Sequence, residues 1–254
     1  MIKILDALTQ LDTIIKKYPL ESIEGKILNI LSKSTTTYSY ASVDQLKFEL
    51  NLRNNITKEA NNLHKSRFSF KVFRKSKCNS DFWHRTDEGG FQLEHGVSPA
   101  DAIKDIYTHS SEYGTECATA IVIVFYKALL DSFSEELFNK LFSEIYLMNW
   151  QHLDNDLGIS GDDNIKDFLP GDCRYFKNPD VDPLTPEWQG ENVYDLGNGS
   201  YYGHGIGIGT SEHIINELNK NRIEDSKISA YLLEFASRPN YKYLAAKNES
   251  FSNI

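Results

Sequence analysis

The chain has 254 residues, enough for one large domain with a substantial buried core. Asp and Glu number 36 against 27 Lys and Arg, a formal charge of −9, which argues against nucleic acid or an anionic membrane surface as a partner. Cys78, Cys117 and Cys173 form no CxxC pair, so neither a disulfide framework nor a zinc centre is expected, and a reducing compartment suits them better.

The opening "MIKILDALTQLDTIIKKYPL" has no signal pattern, because aspartates interrupt its apolar positions and no small-residue cleavage site follows. Ile4, Leu8, Leu11 and Ile15 recur at helical spacing. "LESIEGKILNIL" and "SVDQLKFELNLRNNITKEANNL" repeat the pattern, so residues 1–66 are expected to be helical. "FSFKVF" (68–73) reads as a strand; "DFWHRT" and "GFQLEH", joined across Asp87-Glu88-Gly89-Gly90, read as a hairpin. In "SPADAIKDIY", Ser98 offers an N-cap and Pro99 a first helical position.

"SEELFNKLFSEIYLM" predicts a further amphipathic helix, and the polar segment 151–170 a loop. From Gly171 onward come the short strands "CRYFKNP", "ENVYDLG" and "SYYGHGIGI". "SEHIINELNKNRI" returns to helix, and "ISAYLLEFAS" is compatible with either state. The longest apolar run, from Ala118 to Tyr126, is too short to span a bilayer, so a soluble chain made in the cytoplasm is expected. Helices first and strands later indicate an α+β fold.

One stretch, "GTECATAIVIVFYKALL", raises a chemical question. Its β-branched Ile121-Val122-Ile123-Val124 would suit a buried strand, but the apolar texture continues for about 16 residues without Gly or Pro, which favours helix. Thr115 is the expected N-cap, with Glu116 in the first turn and Cys117 at the second helical position. A helix N-terminus lowers a thiol pKa, and its N–H groups can hold an oxyanion. Cys117 is equally compatible with a small buried hydrophobe, and this segment alone leaves both readings open.

A nucleophilic cysteine needs a base and a group that orients it. His204 stands in the Gly-rich strand "YYGHGIGIG", and Glu191 lies between, in "EWQGENV". Taken singly, such residues are more often a satisfied core histidine and a solvated carboxylate. Together they form one constellation: a cysteine on a helix, then an acid and a histidine on strands.

The blocks "GTECATAIVIVFYKALL", "GDCRYFKNP", "EWQGENV" and "YGHGIGI" resemble those of the spore-coat protein-glutamine gamma-glutamyltransferases of the bacilli. "LNLRNNI", "SPADAIKDI" and "SAYLL" fit as well. The likeness covers most of the chain and is weakest in the first 40 residues, in 151–168 and at the C-terminal tail. More distantly, the motif order is similar to that of the NlpC-type papain-like cysteine hydrolases, with a Cys opening a helix, a "PGD" strand and a "GH" strand. "LPGDC" carries Cys173 where an apolar residue is usual, so Cys173 is expected to be a buried strand residue.

The resemblance implies a papain-like core, with the Cys-bearing helix packed on a small antiparallel sheet and a helical N-terminal extension. The chain would be a single catalytic domain over 1–254, with a helical region at 1–66 and a catalytic core at 98–254. It implies a transglutaminase in which Cys117 is the nucleophile, Glu191 its main partner, Glu116 a second nearby carboxylate and His204 a close neighbour. Placing Glu where papain-like enzymes rely chiefly on His leaves open which of Glu191 and His204 moves the proton. Trp150, Phe176, Trp188, Tyr201 and Tyr202 cluster around the motif blocks and are expected to line a narrow apolar passage that keeps water from a thioester.

The implied partners are proteins bearing Gln and Lys side chains, specifically spore-coat proteins, met after synthesis in the mother cell of a sporulating bacterium and deposition in the coat. No cofactor or metal is called for, since "DNDLGISGDDN" is too irregular for a calcium loop. Two rival readings are a cysteine amidase or peptidase that hydrolyses the same thioester and a non-catalytic coat protein.

Overall fold

The computed structural model describes residues 1–5 and 11–252, so Leu8 of the first expected helix lies outside the described residues. In chain order the elements begin β1 (Ile2–Ile4), α1 (Leu11–Ile15), α2 (Ile23–Lys33), β2 (Tyr38–Tyr40), α3 (Val43–Lys65), β3 (Ser69–Phe70), β4 (Trp83–Arg85) and β5 (Phe91–Leu93). They continue α4 (Pro99–Thr108), β6 (Gly114–Thr115), α5 (Cys117–Leu130), α6 (Glu135–Leu141), β7 (Tyr146–Leu147) and β8 (Ser160–Asp162). The C-terminal part holds β9 (Cys173–Lys177), β10 (Gly190–Asp195), β11 (Ser200–Gly203), β12 (Gly207–Thr210), α7 (Ser211–Asn219), β13 (Tyr231–Leu232), β14 (Ala236–Arg238) and α8 (Tyr241–Ser252).

The main sheet runs β12-β11-β10-β9-β14-β8, with β13 also pairing β9, and all its pairs are antiparallel. Helix α5 is apolar all round and is buried accordingly, its Ile121, Ile123 and Val124 fully enclosed. Each such side chain contributes about 1.5–3 kcal/mol by leaving water. Tyr194 of β10 fastens α5 to the sheet: its hydroxyl donates to the Ile121 carbonyl at 2.8 Å, and its ring meets Phe125 edge-on at 5.2 Å. The result is an α+β, papain-like arrangement, with a cysteine-bearing helix laid on an antiparallel sheet.

Helix α3 packs along α5 and shares its core through Leu52, Ile56, Ala60 and Leu63. A buried ion network ties it to the sheet. Arg53 Nη1 donates to Asp172 Oδ1 at 2.8 Å and Arg53 Nε to Glu49 at 2.8 Å, while Arg238 Nε reaches Asp172 Oδ1 at 2.6 Å. Gly171, at φ +82°, makes the turn that aims Asp172 inward. A second, smaller core gathers Ile2, Ile4, Ile27, Leu28 and Leu31 around α2.

Several local expectations differ from the structure. Ile4 belongs to a strand, because β1 pairs in parallel with β2 and buries its alternate residues. Only Ser69–Phe70 of 68–73 forms a strand; a 3₁₀ turn begins at Phe73. The helix from Ser134 stops at Leu141, since Tyr146–Leu147 pairs with β5. The segment 151–170 is not all loop and contributes β8. "ISAYLLEFAS" resolves into β13 and β14, and the tail forms α8, whose Leu244 is fully buried. Among the described residues no helix is long and apolar enough to cross a membrane, and no group of His, Cys, Asp and Glu side chains is arranged to hold a metal ion.

Candidate active site

Strand β6 fixes where the cysteine helix begins. Gly114 and Thr115 pair in parallel with Ser69 and Phe70 and are held extended, so helical geometry cannot start before residue 116. The N-cap is therefore Glu116 rather than Thr115, and Cys117 takes the first helical position rather than the second. The Glu116 carboxylate accepts from the Ala118 and Thr119 N–H groups, both at 2.7 Å. This corrects a further expectation: the helix end does not offer those two N–H groups to a substrate oxyanion.

The thiol sits at an open strand edge. Asp195 of β10 donates its N–H to Asp172, whereas Leu196 donates to Ser200, so even-numbered residues of β10 turn their N–H toward β11. Pairing with β11 ends at Val193–Gly203. The edge at Asn192 is left for Cys117. Period two sends the side chains of Glu191 and Asn192 to opposite faces, and at the edge both reach the sulfur. Asn192 Nδ2 donates to Cys117 Sγ at 3.6 Å, and Trp150 Nε1 donates to Asn192 Oδ1 at 3.2 Å. The Glu191 carboxyl is 4% exposed, lies within hydrogen-bonding reach of the thiol, and its Oε1 has no hydrogen-bond partner among the described residues.

Burial dominates the electrostatics. It raises the proton affinity of Glu191 well above the carboxylate range, and the Glu116 charge adds to this. Burial likewise raises the Cys117 thiol, helped by Glu191 and Glu116, while hydrogen bonds from the Asn192 backbone and side chain act the other way. The two groups form a coupled pair that resists losing both protons and can lose one. Cys173, in β9, is buried and its thiol is raised by that burial; Cys78 is half-buried and raised to about 11. Neither has the neighbours that surround Cys117.

His204 is not in a strand but in the turn between β11 and β12. Its ring is buried against Phe68 at 4.9 Å, and Nδ1 shares a hydrogen bond with Tyr202 Oη at 3.2 Å. Burial depresses its pKa to about 4, although the Ser69 and Thr115 carbonyls favour the charged form. It is thus a neutral ring packed against the β3–β6 pair that leads into Glu116 and Cys117.

The half-buried Cys117 lines a cavity of about 1180 Å³. Its walls include Phe70 and Phe73 after α3, Trp150, Tyr175 of β9, and Phe235 of β14.

Similarity to known proteins decides its class. A family profile described as "Protein-glutamine gamma-glutamyltransferase" matches residues 1–248. The chain belongs to the protein-glutamine gamma-glutamyltransferase family. It is a transglutaminase by enzyme class. A protein of that name from Bacillus mycoides (strain KBAB4) is 47% identical over 224 residues, covering 87% of this chain and 79% of the relative. One from Bacillus cereus (strain B4264) is 46% identical over 220 residues, with the same coverage. The solved transglutaminase from Geobacillus stearothermophilus (without C-terminal extension) superposes with a TM-score of 0.78 at 52% identity, covering 82% of this chain and 98% of that one.

Of the aromatics expected along a transglutaminase passage, Trp150 lines the cavity and the other four do not. Phe176 faces the opposite side of the sheet, meeting Tyr201 edge-on at 5.4 Å in a small core with Ile214 and Leu218 of α7; Trp188 packs there too. Tyr202 is buried and lines a separate pocket with His64 and His204. For Phe176 the physical reason is strand alternation: Tyr175, one residue before it, is the side chain that lines the thiol cavity. Local sequence pattern does not single out Asn192 and Tyr175, for the same reason. Only the register of β9 against β10, which pairs Asn192 with Tyr175, shows that these two share a face.

Proposed function

We propose that this transglutaminase forms ε-(γ-glutamyl)lysine isopeptide bonds between proteins through a thioester on Cys117. The observation that carries the reading is a half-buried thiol on the wall of a large cavity, backed by a buried carboxyl whose Oε1 has no hydrogen-bond partner among the described residues. Once the Cys117–Glu191 pair has shed one proton, Sγ attacks the γ-carboxamide carbon of a glutamine, and Glu191 holds the proton that left sulfur. That proton passes to the leaving nitrogen, the C–N bond breaks, ammonia departs and the thioester remains. A lysine amine then attacks the thioester carbon, its surplus proton goes to Glu191, and the C–S bond breaks to regenerate the cysteine.

The second step needs a base. A lysine of pKa about 10.4 is neutral in only roughly one of a few thousand molecules at pH 7. A buried carboxyl with raised proton affinity is suited to taking the amine proton during attack, a role worth about 10²- to 10⁴-fold. Glu116 acts by capping the helix and holding the sulfur in place. His204, neutral and packed against the strand pair before the cysteine, acts as a positioning residue. The aromatic lining, Trp150 included, limits water and so favours transfer over hydrolysis.

We further read the chain as one catalytic unit spanning 1–254. The cavity wall draws on residues 70–74, upstream of the 98–254 span, and α3 shares the core of α5. The sequence blocks shared with the bacilli support spore-coat proteins as substrates and deposition in the coat. Labelling a casein-like substrate with a fluorescent amine in EDTA tests the reading. Wild type should incorporate the amine and Cys117→Ala should not. Ammonia release without amine uptake would favour a hydrolase.

A further inference from the structure

We propose that Asn192 is a catalytic residue of this transglutaminase, its side-chain amide completing the anion-holding site beside Cys117 Sγ, and that Trp150 positions it. The inference rests on the thioester reading above and assigns a donor that reading lacks. With Glu116 occupying the Ala118 and Thr119 N–H groups, the helix end has little left for a developing oxyanion. The Cys117 N–H makes no hydrogen bond among the described residues, and a single backbone donor is a weak hole.

Asn192 supplies what is missing. Its N–H faces the sulfur because β11 no longer pairs opposite it, and its Nδ2 stands 3.6 Å from Sγ. The orientation of the amide is chemically determined. An indole N–H can only donate, so Trp150 Nε1 at 3.2 Å must take Oδ1, which turns the NH₂ group toward Cys117. The same two donors serve the departing thiolate after the thioester collapses. An asparagine that merely filled space would need neither the indole bond nor the vacated strand edge.

The test compares wild type, Asn192→Ala, Asn192→Asp, Trp150→Phe and the Trp150→Phe/Asn192→Ala double variant. Three quantities are read: the single-turnover rate of ammonia release from a saturating glutamine-donor peptide, the KM for that peptide in steady-state turnover, and the pH dependence of Cys117 alkylation by iodoacetamide. Asn192→Ala should slow acylation about 100-fold, leave KM within about threefold, and move the alkylation profile to higher pH. Trp150→Phe should lose about tenfold alone and nothing further in the double variant, because it acts through Asn192. Asn192→Asp matches the native side chain in size and should lose as much, which keeps the test decisive if the alanine variant fails to fold. Retention of a third or more of the wild-type rate by Asn192→Asp, or additive losses in the double variant, overturns the proposal. Absence of ammonia release from the wild type would instead defeat the transglutaminase reading itself.

Discussion

The side chain of Glu191 lies directly against the Cα of Gly203: a Cβ at residue 203 would fall 2.7 Å from both Glu191 Cγ and Oε1. The contact sets the depth at which the carboxyl sits beside the thiol. Gly203→Ala should displace the carboxyl and lower the acylation rate at least tenfold while costing about 1–3 kcal/mol of stability. Rapid-quench ammonia release together with a thermal melt reads both effects, and unchanged kinetics would show that the Glu191 position is not critical.

Glu191→Gln should lower the rate at least tenfold and, at the same time, stabilise the protein at alkaline pH. The sign follows from the raised proton affinity of Glu191. The folded state binds its proton more tightly than the unfolded chain, so the stability tied to that proton is complete below the ordinary carboxylate range. It is lost as pH rises through the raised folded value. The melting temperature of the Gln variant should therefore exceed that of wild type at pH 8 and match it near pH 4.5. In wild type the acylation rate should climb with pH as the Cys117–Glu191 pair sheds its first proton. A larger rate loss from His204→Ala than from Glu191→Gln would transfer the base role to the histidine.

His204 predicts the opposite pH dependence. Its folded value of about 4 lies below the ordinary 6.5, so the neutral ring contributes stability that is intact above pH 6.5 and lost as pH falls toward 4. Replacing it with Gln should remove up to about 3 kcal/mol of that acid-induced loss. The difference in melting temperature between wild type and His204→Gln, followed from pH 7 to 4.5, isolates the effect; a constant difference would mean the ring is not buried neutral.

The Asp172 carboxylate is fully buried. Burial alone would raise its pKa, but Arg53 and Arg238 outweigh that and hold it below the usual range. Asp172→Ala would leave Arg53, itself 1% exposed, without its main counter-charge. The expected cost is about 3–5 kcal/mol. Chemical denaturation should show it, and a loss under 1 kcal/mol would mean that α3 is held chiefly by apolar packing.

The legible parts of the fold were those written in local pattern. The hairpin across Asp87–Gly90, the Ser98 cap on α4 and the apolar helix after Cys117 all follow from neighbouring residues. What local pattern could not carry was long-range pairing. Ile4 has helical spacing yet pairs with Tyr40, and Thr115 looks like a cap yet is held extended by Phe70. The site divides the same way. Cys117 and Glu191 stand out by residue type and order, whereas Asn192 matters because β11 ends one residue short of it. His204 stands out by its glycine-rich setting, but only its burial against Phe68 shows why it stays neutral.

The most direct test of the central claim is the intact mass of the enzyme after mixing with a glutamine-donor peptide and no amine. The expected species is the enzyme plus the peptide less one ammonia, mapped to Cys117, discharged by adding a lysine analogue and absent from Cys117→Ala. No adduct, or one on Cys78 or Cys173, would contradict a thioester at this cysteine.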